Sequence, residues 1–131
     1  MKSVVICASK KYKEEVQKFV DRLRDLGVIV YDPNINKPVD EEDQGFRDEQ
    51  TRDTVFLGLT LEHFRKERKA DVCFIYNQND YMGVSTTLEM GYAVALDMPI
   101  YALSPRTGDP CRDSLIDAVC ETPEELLKFL K

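Results

Sequence analysis

The stretch Ala70-Asp71-Val72-Cys73-Phe74-Ile75-Tyr76-Asn77 is apolar almost throughout, without the polar alternation of a half-exposed strand, so it reads as a parallel strand buried on both faces. It leads into Gly83-Val84-Ser85-Thr86-Thr87-Leu88-Glu89-Met90-Gly91-Tyr92-Ala93, a run of small residues that reads as a helix. A buried strand feeding a helix is the repeating unit of a parallel α/β sheet. The loop from Gln78 to Val84 then falls at the strand's carboxyl end, where open α/β sheets form their ligand crevice. Glu89, expected in the first turn of the helix, would look into a binding site. Thr86-Thr87-Leu88-Glu89 also fits a capping box, in which the glutamate folds back onto the N-cap amide. A cap does not need the clearance that Gly83, Ser85, Gly91 and Ala93 would leave around a carboxylate, but both readings stand on sequence alone.

The remaining segments repeat the alternation. Ser3 to Ala8 is a β-branched strand, and Val16, Phe19, Val20, Leu23 and Leu26 recur at helical spacing until Gly27 stops the helix. Val28 to Tyr31 is a second short strand. The polar stretch from Asp32 to Gln50, with Pro33, Pro38 and the acidic run Asp40-Glu41-Glu42-Asp43, is a long loop, either a lid or a disordered connection. Thr54 to Lys69 is helical, with Phe56, Leu57, Leu61 and Phe64 as expected core positions and Arg65, Lys66, Arg68 and Lys69 against the negative end of the dipole. Asp97-Met98-Pro99 ends the Glu89 helix, and Ile100 to Leu103 and Ile116 to Cys120 are the last strands, separated by a loop from Ser104 to Arg112. Thr122-Pro123-Glu124-Glu125 starts a terminal helix through Leu130 with a capping box and proline at the first helical position. The expected fold is a single α/β domain over residues 1–131, a flavodoxin- or Rossmann-like three-layer sandwich with a five-stranded parallel sheet. The loops after strands one, three and four share one edge.

Composition narrows the partners. A formal net charge of −6 over 131 residues argues against a nucleic-acid polymer, whose phosphates need a basic face, and favours a small ligand. Cys7, Cys73, Cys111 and Cys120 have no C-x-x-C spacing, and three lie in apolar runs where a reduced thiol acts as a small hydrophobe, so a reducing, cytoplasmic setting is expected. With one histidine and no evident ligand spacing, no metal site and no cofactor are expected. No signal peptide or bilayer-spanning apolar run is evident, so a soluble protein with no membrane partner is expected.

Three segments resemble the nucleoside 2-deoxyribosyltransferase family and its hydrolytic relatives, the deoxynucleoside 5′-monophosphate N-glycosidases. Ile6-Cys7-Ala8-Ser9 before an amphipathic helix resembles the family's first substrate loop. Ala70-Asp71-Val72 resembles the start of its middle strand, and Gly83 to Ala93 resembles the segment G-x-x-x-x-x-E-x-G-x-A that holds its catalytic glutamate. The resemblance covers nearly the whole chain in order and spacing. It implies Glu89 as nucleophile, Gly83 and Ser85 beside the sugar or its phosphate, Ser9 in the first loop, and a homodimer or larger assembly in which Ser114 reaches a neighbouring site. One position departs: His63 stands where relatives carry an aspartate that protonates or orients the base.

Cleaving an N-glycosidic bond builds positive charge on the sugar while the base departs, which calls for a carboxylate beneath the anomeric carbon and a group to protonate the base. Glu89 fits the first role. His63 fits the second if a neighbouring carboxylate raises its pKa, with Asp80 and then Asp71 in reserve; otherwise His63 is a helix-surface residue. Substrate contacts are expected from Ser9, Lys10, Asn77, Asp80, Gly83, Ser85, Thr86 and Ser114, and Ser9 with Lys10 and Lys11 before a helix N-terminus suits a phosphate. The expected partner is a nucleoside or nucleotide, cleaved or transferred at that bond. The alternative is a sensor of nucleotide-derived ligands that kept the fold and lost the catalysis.

Overall fold

The structure, a computed structural model, describes residues 1–33 and 46–131. Five strands, β1 (Val4–Ala8), β2 (Val30–Tyr31), β3 (Val72–Tyr76), β4 (Ile100–Ala102) and β5 (Ala118–Val119), pair in the order β2-β1-β3-β4-β5. Every pairing is parallel, and β1 and β3 run in register from Val4 opposite Val72 to Ala8 opposite Tyr76. This is the expected five-stranded α/β sandwich. The chain order reverses between β1 and β3, so the loops that leave these strands diverge and open a crevice at the carboxyl edge.

Helices α1 (Lys13–Asp25) and α5 (Pro123–Leu130) cover one face, and α2 (Glu49–Lys69) and α3 (Val84–Ala95) cover the other; α4 (Pro110–Asp113) is a single turn between β4 and β5. Alternation along the strands sorts the core. Val4, Ile6, Val72, Phe74 and Tyr76 face α1 and α5, where Phe74 stacks on Phe19 with ring centroids 4.8 Å apart. Val5, Cys7, Cys73 and Ile75 face α3 with Met90 and Ala93. Gly27, at φ +85°, ends α1 in the left-handed conformation that glycine adopts without a Cβ clash.

Several boundaries shift for local reasons. Asp48 caps α2 by accepting from the Thr51 amide at 2.7 Å, so the helix begins ahead of the expected Thr54. Asp109 caps α4 inside what the sequence suggested was a plain loop, accepting from the Cys111 amide at 2.8 Å. The expected box at α5 forms with one change. Thr122 accepts from the Glu125 amide, but Glu125 reaches past the cap to the Glu121 amide at 2.7 Å. The acidic run Asp40-Glu41-Glu42-Asp43, and with it most of the proposed lid, lies outside the described residues. Among the described residues no helix is long and apolar enough to cross a membrane.

The largest correction concerns α2. Leu57 and Leu61, expected in the core, are 58% and 53% exposed, whereas the fully buried residues of this helix are His63 and Glu67. Phe64 stacks on Tyr92 of α3 at 4.5 Å, and that contact fixes the rotation that turns the polar pair inward. The apolar stripe on α2 is therefore not its buried stripe.

Candidate active site

Glu89 sits at the start of α3, close behind the carboxyl end of β3. The helix begins at Val84 with Gly83 as N-cap, whose carbonyl also accepts from Thr87 Oγ1 at 2.8 Å. Thr86 therefore lies within the helix and Glu89 in its second turn, one turn later than the sequence suggested. The capping box does not form. The Glu89 carboxyl instead crosses to α2, where Oε2 lies 3.1 Å from His63 Nε2, and the side chain keeps 16% exposure. The expected clearance around the carboxyl forms only in part: Gly91 faces open space on the outside of the helix, and Ala93 packs in the core.

His63 is the centre of a buried polar cluster. Its Nε2 also lies 3.3 Å from Cys7 Sγ on β1 and 3.8 Å from Glu67 Oε1 one turn along α2, and Cys7 Sγ lies 3.6 Å from Cys73 Sγ on β3. Burial sets the charges here. It pushes Glu89 up to about 8 against a partial opposing pull from the Lys66 ammonium. Burial and the Glu89 charge together push Glu67 up to about 9. His63 drops to about 4 through burial and the nearby Lys66, so the expected upward shift from a carboxylate neighbour is reversed. Burial, with Cys73 beside it, raises the Cys7 thiol as well. At neutral pH the His63–Glu89 contact is thus a hydrogen bond between uncharged groups, not an ion pair. Among the described residues His63 Nδ1 and both Glu67 oxygens are buried with no hydrogen-bond partner.

His63 is 1% exposed, so it is not a surface residue, and in this conformation it cannot touch a departing base. Glu67 was not anticipated as a site residue. Its spacing of four from His63 on one helix was the available signal, since such a pair shares a face. Cys7, His63 and Glu67 together form a group whose donor atoms could hold a metal ion; Cys7 lies on β1, far in sequence from the pair on α2, so no local ligand spacing marks it.

The other expected site residues are spread along the carboxyl edge. Ser9 caps a 3-10 turn (Lys10–Tyr12) by accepting from the Lys11 amide at 3.2 Å, and Lys10 is exposed beside it. The Lys11 ammonium lies 4.4 Å from the Tyr81 ring centroid, and Tyr12 meets Tyr81 edge-on, which builds an aromatic rim across the β1 and β3 loops. Asn77 is fully buried and spends its amide on loop closure, donating to the Ser104 and Arg106 carbonyls and accepting from the Ser104 amide. Asn79 and Asp80 both hold left-handed backbone, at φ 56° and 59°, in the turn that follows. Asp80 is exposed and accepts from Ser104 Oγ at 2.5 Å. Ser85 is exposed, Thr86 is buried, and exposed Ser114 donates to the Cys111 carbonyl at the end of α4. Arg112, not singled out from sequence, joins the loops by donating to the Met82 and Thr107 carbonyls and to Thr87 Oγ1. A cleft of about 390 Å³ with Tyr76, Asp80, Ser104 and Glu121 in its walls opens on the α1/α5 side of the sheet. Glu89 lies on the opposite side.

No family model matches the sequence, and no curated protein does. Solved structures match over most of their length. A 2-deoxyribosyltransferase from the psychrotolerant bacterium Bacillus psychrosaccharolyticus, described as a biocatalyst for nucleoside synthesis, superposes with a TM-score of 0.64 at 24% identity, covering 95% of this chain and 89% of that one. A conserved protein from Enterococcus faecalis V583 gives a TM-score of 0.62 at 16% identity, covering 98% of this chain and 96% of that one. At such identities the likeness is one of architecture: this chain has the parallel α/β fold on which a 2-deoxyribosyltransferase is built.

Proposed function

We propose that this chain cleaves or transfers at the N-glycosidic bond of (deoxy)nucleosides or nucleoside 5′-monophosphates, with Glu89 as the nucleophile. The supporting observation is the placement of Glu89. Its carboxyl leaves its own backbone unbonded, stands behind the loop that ends β3, keeps partial access to solvent and is held by His63 Nε2 at 3.1 Å. The match to a 2-deoxyribosyltransferase supports the same reading at the level of fold.

In the proposed reaction a Glu89 oxygen forms a bond to the anomeric carbon as the bond from that carbon to the base breaks. The electron pair leaves with the base, which takes up a proton. A second base attacking the glycosyl-enzyme completes transfer, and water completes hydrolysis; either releases the carboxyl. The positive charge that develops on the sugar favours the ionised form of Glu89. Glu89 gives up its proton to solvent past its partly exposed side chain, and His63 Nε2 orients the carboxyl from 3.1 Å. His63 thus positions the nucleophile, and the base takes its proton from solvent, because Asp80 stands in the cleft on the other side of the sheet. Ser9, Lys10, Gly83 and Ser85 form the proposed sugar and phosphate side, with buried Asn77 holding the loop and buried Thr86 seating the start of the helix. A reducing cytoplasmic setting and a homo-oligomer in which Ser114 approaches a neighbouring site complete the proposal.

The test is incubation with a panel of nucleosides and their monophosphates, with and without a free acceptor base, with chromatography of the bases released. Exchanged nucleoside identifies a transferase and base release alone a hydrolase. Glu89→Ala should lower either by about 10³-fold or more while leaving the fold intact. Binding of nucleotides without turnover in the wild type would support the sensor reading instead.

A further inference from the structure

Among the described residues Cys7, His63 and Glu67 form a buried group whose donor atoms all lie within 4.8 Å of one another. Two of the separations are 3.3 Å, from Cys7 Sγ to His63 Nε2, and 3.8 Å, from His63 Nε2 to Glu67 Oε1. A tetrahedral zinc ion, with bonds of about 2.0 Å to nitrogen and oxygen and about 2.3 Å to sulfur, keeps its ligand atoms roughly 3.3–3.6 Å apart. Closing the third side needs a movement of at most about 1.3 Å. A second observation points the same way. Glu67 is 0% exposed, and neither of its oxygens has a hydrogen-bond partner, an arrangement that is costly for a carboxyl and leaves both lone-pair sets free for a cation.

We propose that Cys7, His63 and Glu67 form a binding site for one zinc ion directly behind Glu89. The donor set selects the metal. A thiolate and an imidazole disfavour magnesium and calcium, which take oxygen ligands, and suit zinc. Charge is also balanced, because one thiolate and one carboxylate cancel a divalent cation and the imidazole stays neutral, so the filled site carries no net charge into the core. Binding displaces the protons of the Cys7 thiol and the Glu67 carboxyl to solvent. Three protein ligands leave the fourth position to water entering past the partly exposed Glu89 side chain, whose Oε2 lies 3.1 Å from the same Nε2. The site does not depend on the glycosidic reading. An ion there would occupy the nitrogen that holds Glu89, which makes zinc an expected inhibitor of any Glu89 chemistry.

The experiment is cobalt substitution of the full chain after treatment with a chelator and a reductant. One cobalt per chain should bind and give the intense near-ultraviolet sulfur-to-cobalt band and the visible bands of a tetrahedral site, and added zinc should bleach both. Cys7→Ser should remove the sulfur band. Glu67→Met, which fills the same space without a donor, should weaken binding by about 10-fold or more while preserving the cooperative thermal transition. A spectrum that stays that of hydrated cobalt at large excess overturns the proposal. So does a sulfur band that survives Cys7→Ser, since that would place the metal on another cysteine. Failure of either kind leaves base release by the metal-free protein untouched, so the two proposals fail separately.

Discussion

Strands β1 and β3 give alternate residues to two faces that are built on opposite principles. Toward α1 and α5 they present Val4, Ile6, Val72 and Phe74, all 0% exposed, against Phe19, Leu23, Leu126 and Leu130. Toward α2 and α3 the same strands present Cys7 and Cys73, and the space beneath α2 is taken by His63 and Glu67, with Glu89 at the rim. The first face gains free energy from every side chain it buries, about 1.5–3 kcal/mol for each large apolar one. On the second, desolvation of a histidine and two carboxyls offsets part of the gain from packing. The contrast teaches where stability and chemistry are kept in this fold. The face that is packed on α1 and α5 buries one thiol, Cys120, among apolar side chains, and the face that holds the histidine and the carboxyls is the less well satisfied.

The largest test of that contrast lies on the apolar face. Phe74→Ala removes the ring that stacks on Phe19 and leaves a cavity in the middle of the sheet, so a loss of about 3–5 kcal/mol is expected from denaturant titration. A loss under about 1 kcal/mol would show that the α1/α5 layer can collapse onto the gap, and the division of labour between the faces would have to be abandoned. The second test is on the polar face and has the opposite sign. Replacing a buried carboxyl that has no partner by an apolar side chain of similar volume relieves its desolvation, so Glu67→Met in chelator-treated protein should gain roughly 1–3 kcal/mol. Destabilisation by this variant would mean that Glu67 is holding the metal-free fold together.

How much of this was legible beforehand follows from the same contrast. The apolar face was readable because β-branched strands, the Val16 to Leu23 periodicity and the Thr122 cap all agree, and the alternation of strands with helices implies a parallel sheet, though not the order of its strands. Glu89 was readable through its position after β3. The cluster around it was not. Hydrophobic periodicity assigns the core of α2 to Leu57 and Leu61, and it has no means of finding a helix whose buried face is a histidine and a glutamate. Cys7 and His63 meet across 56 residues of chain, a contact that only the pairing of β1 with β3 and the rotation of α2 against Tyr92 create. The downward shift of His63 was missed for a related reason. From sequence a carboxylate neighbour raises a histidine, but burial beneath a helix and the nearby Lys66 ammonium both lower it, and together they win.

The smallest expected effect sharpens the comparison at the other end of β3. Asp71 is an exposed carboxylate that accepts from the Ser3 amide at 2.8 Å and from Ser3 Oγ at 3.1 Å, and those bonds hold its pKa below the usual value. It is the reverse of Glu67 and Glu89, which are buried and shifted upward. A group whose folded pKa is depressed stabilises the fold at every pH above its unfolded pKa, and the contribution fades as pH falls through the folded value. Asp71→Asn should therefore cost stability at neutral pH, by under about 1 kcal/mol because the site is open to solvent, and the difference from wild type should vanish in acid. Paired denaturant titrations across that range measure it. A cost that persists unchanged in acid would assign the contribution to the geometry of the Ser3 bonds instead of to charge, and the contrast between Asp71 and the carboxyls of α2 and α3 would then rest on burial alone.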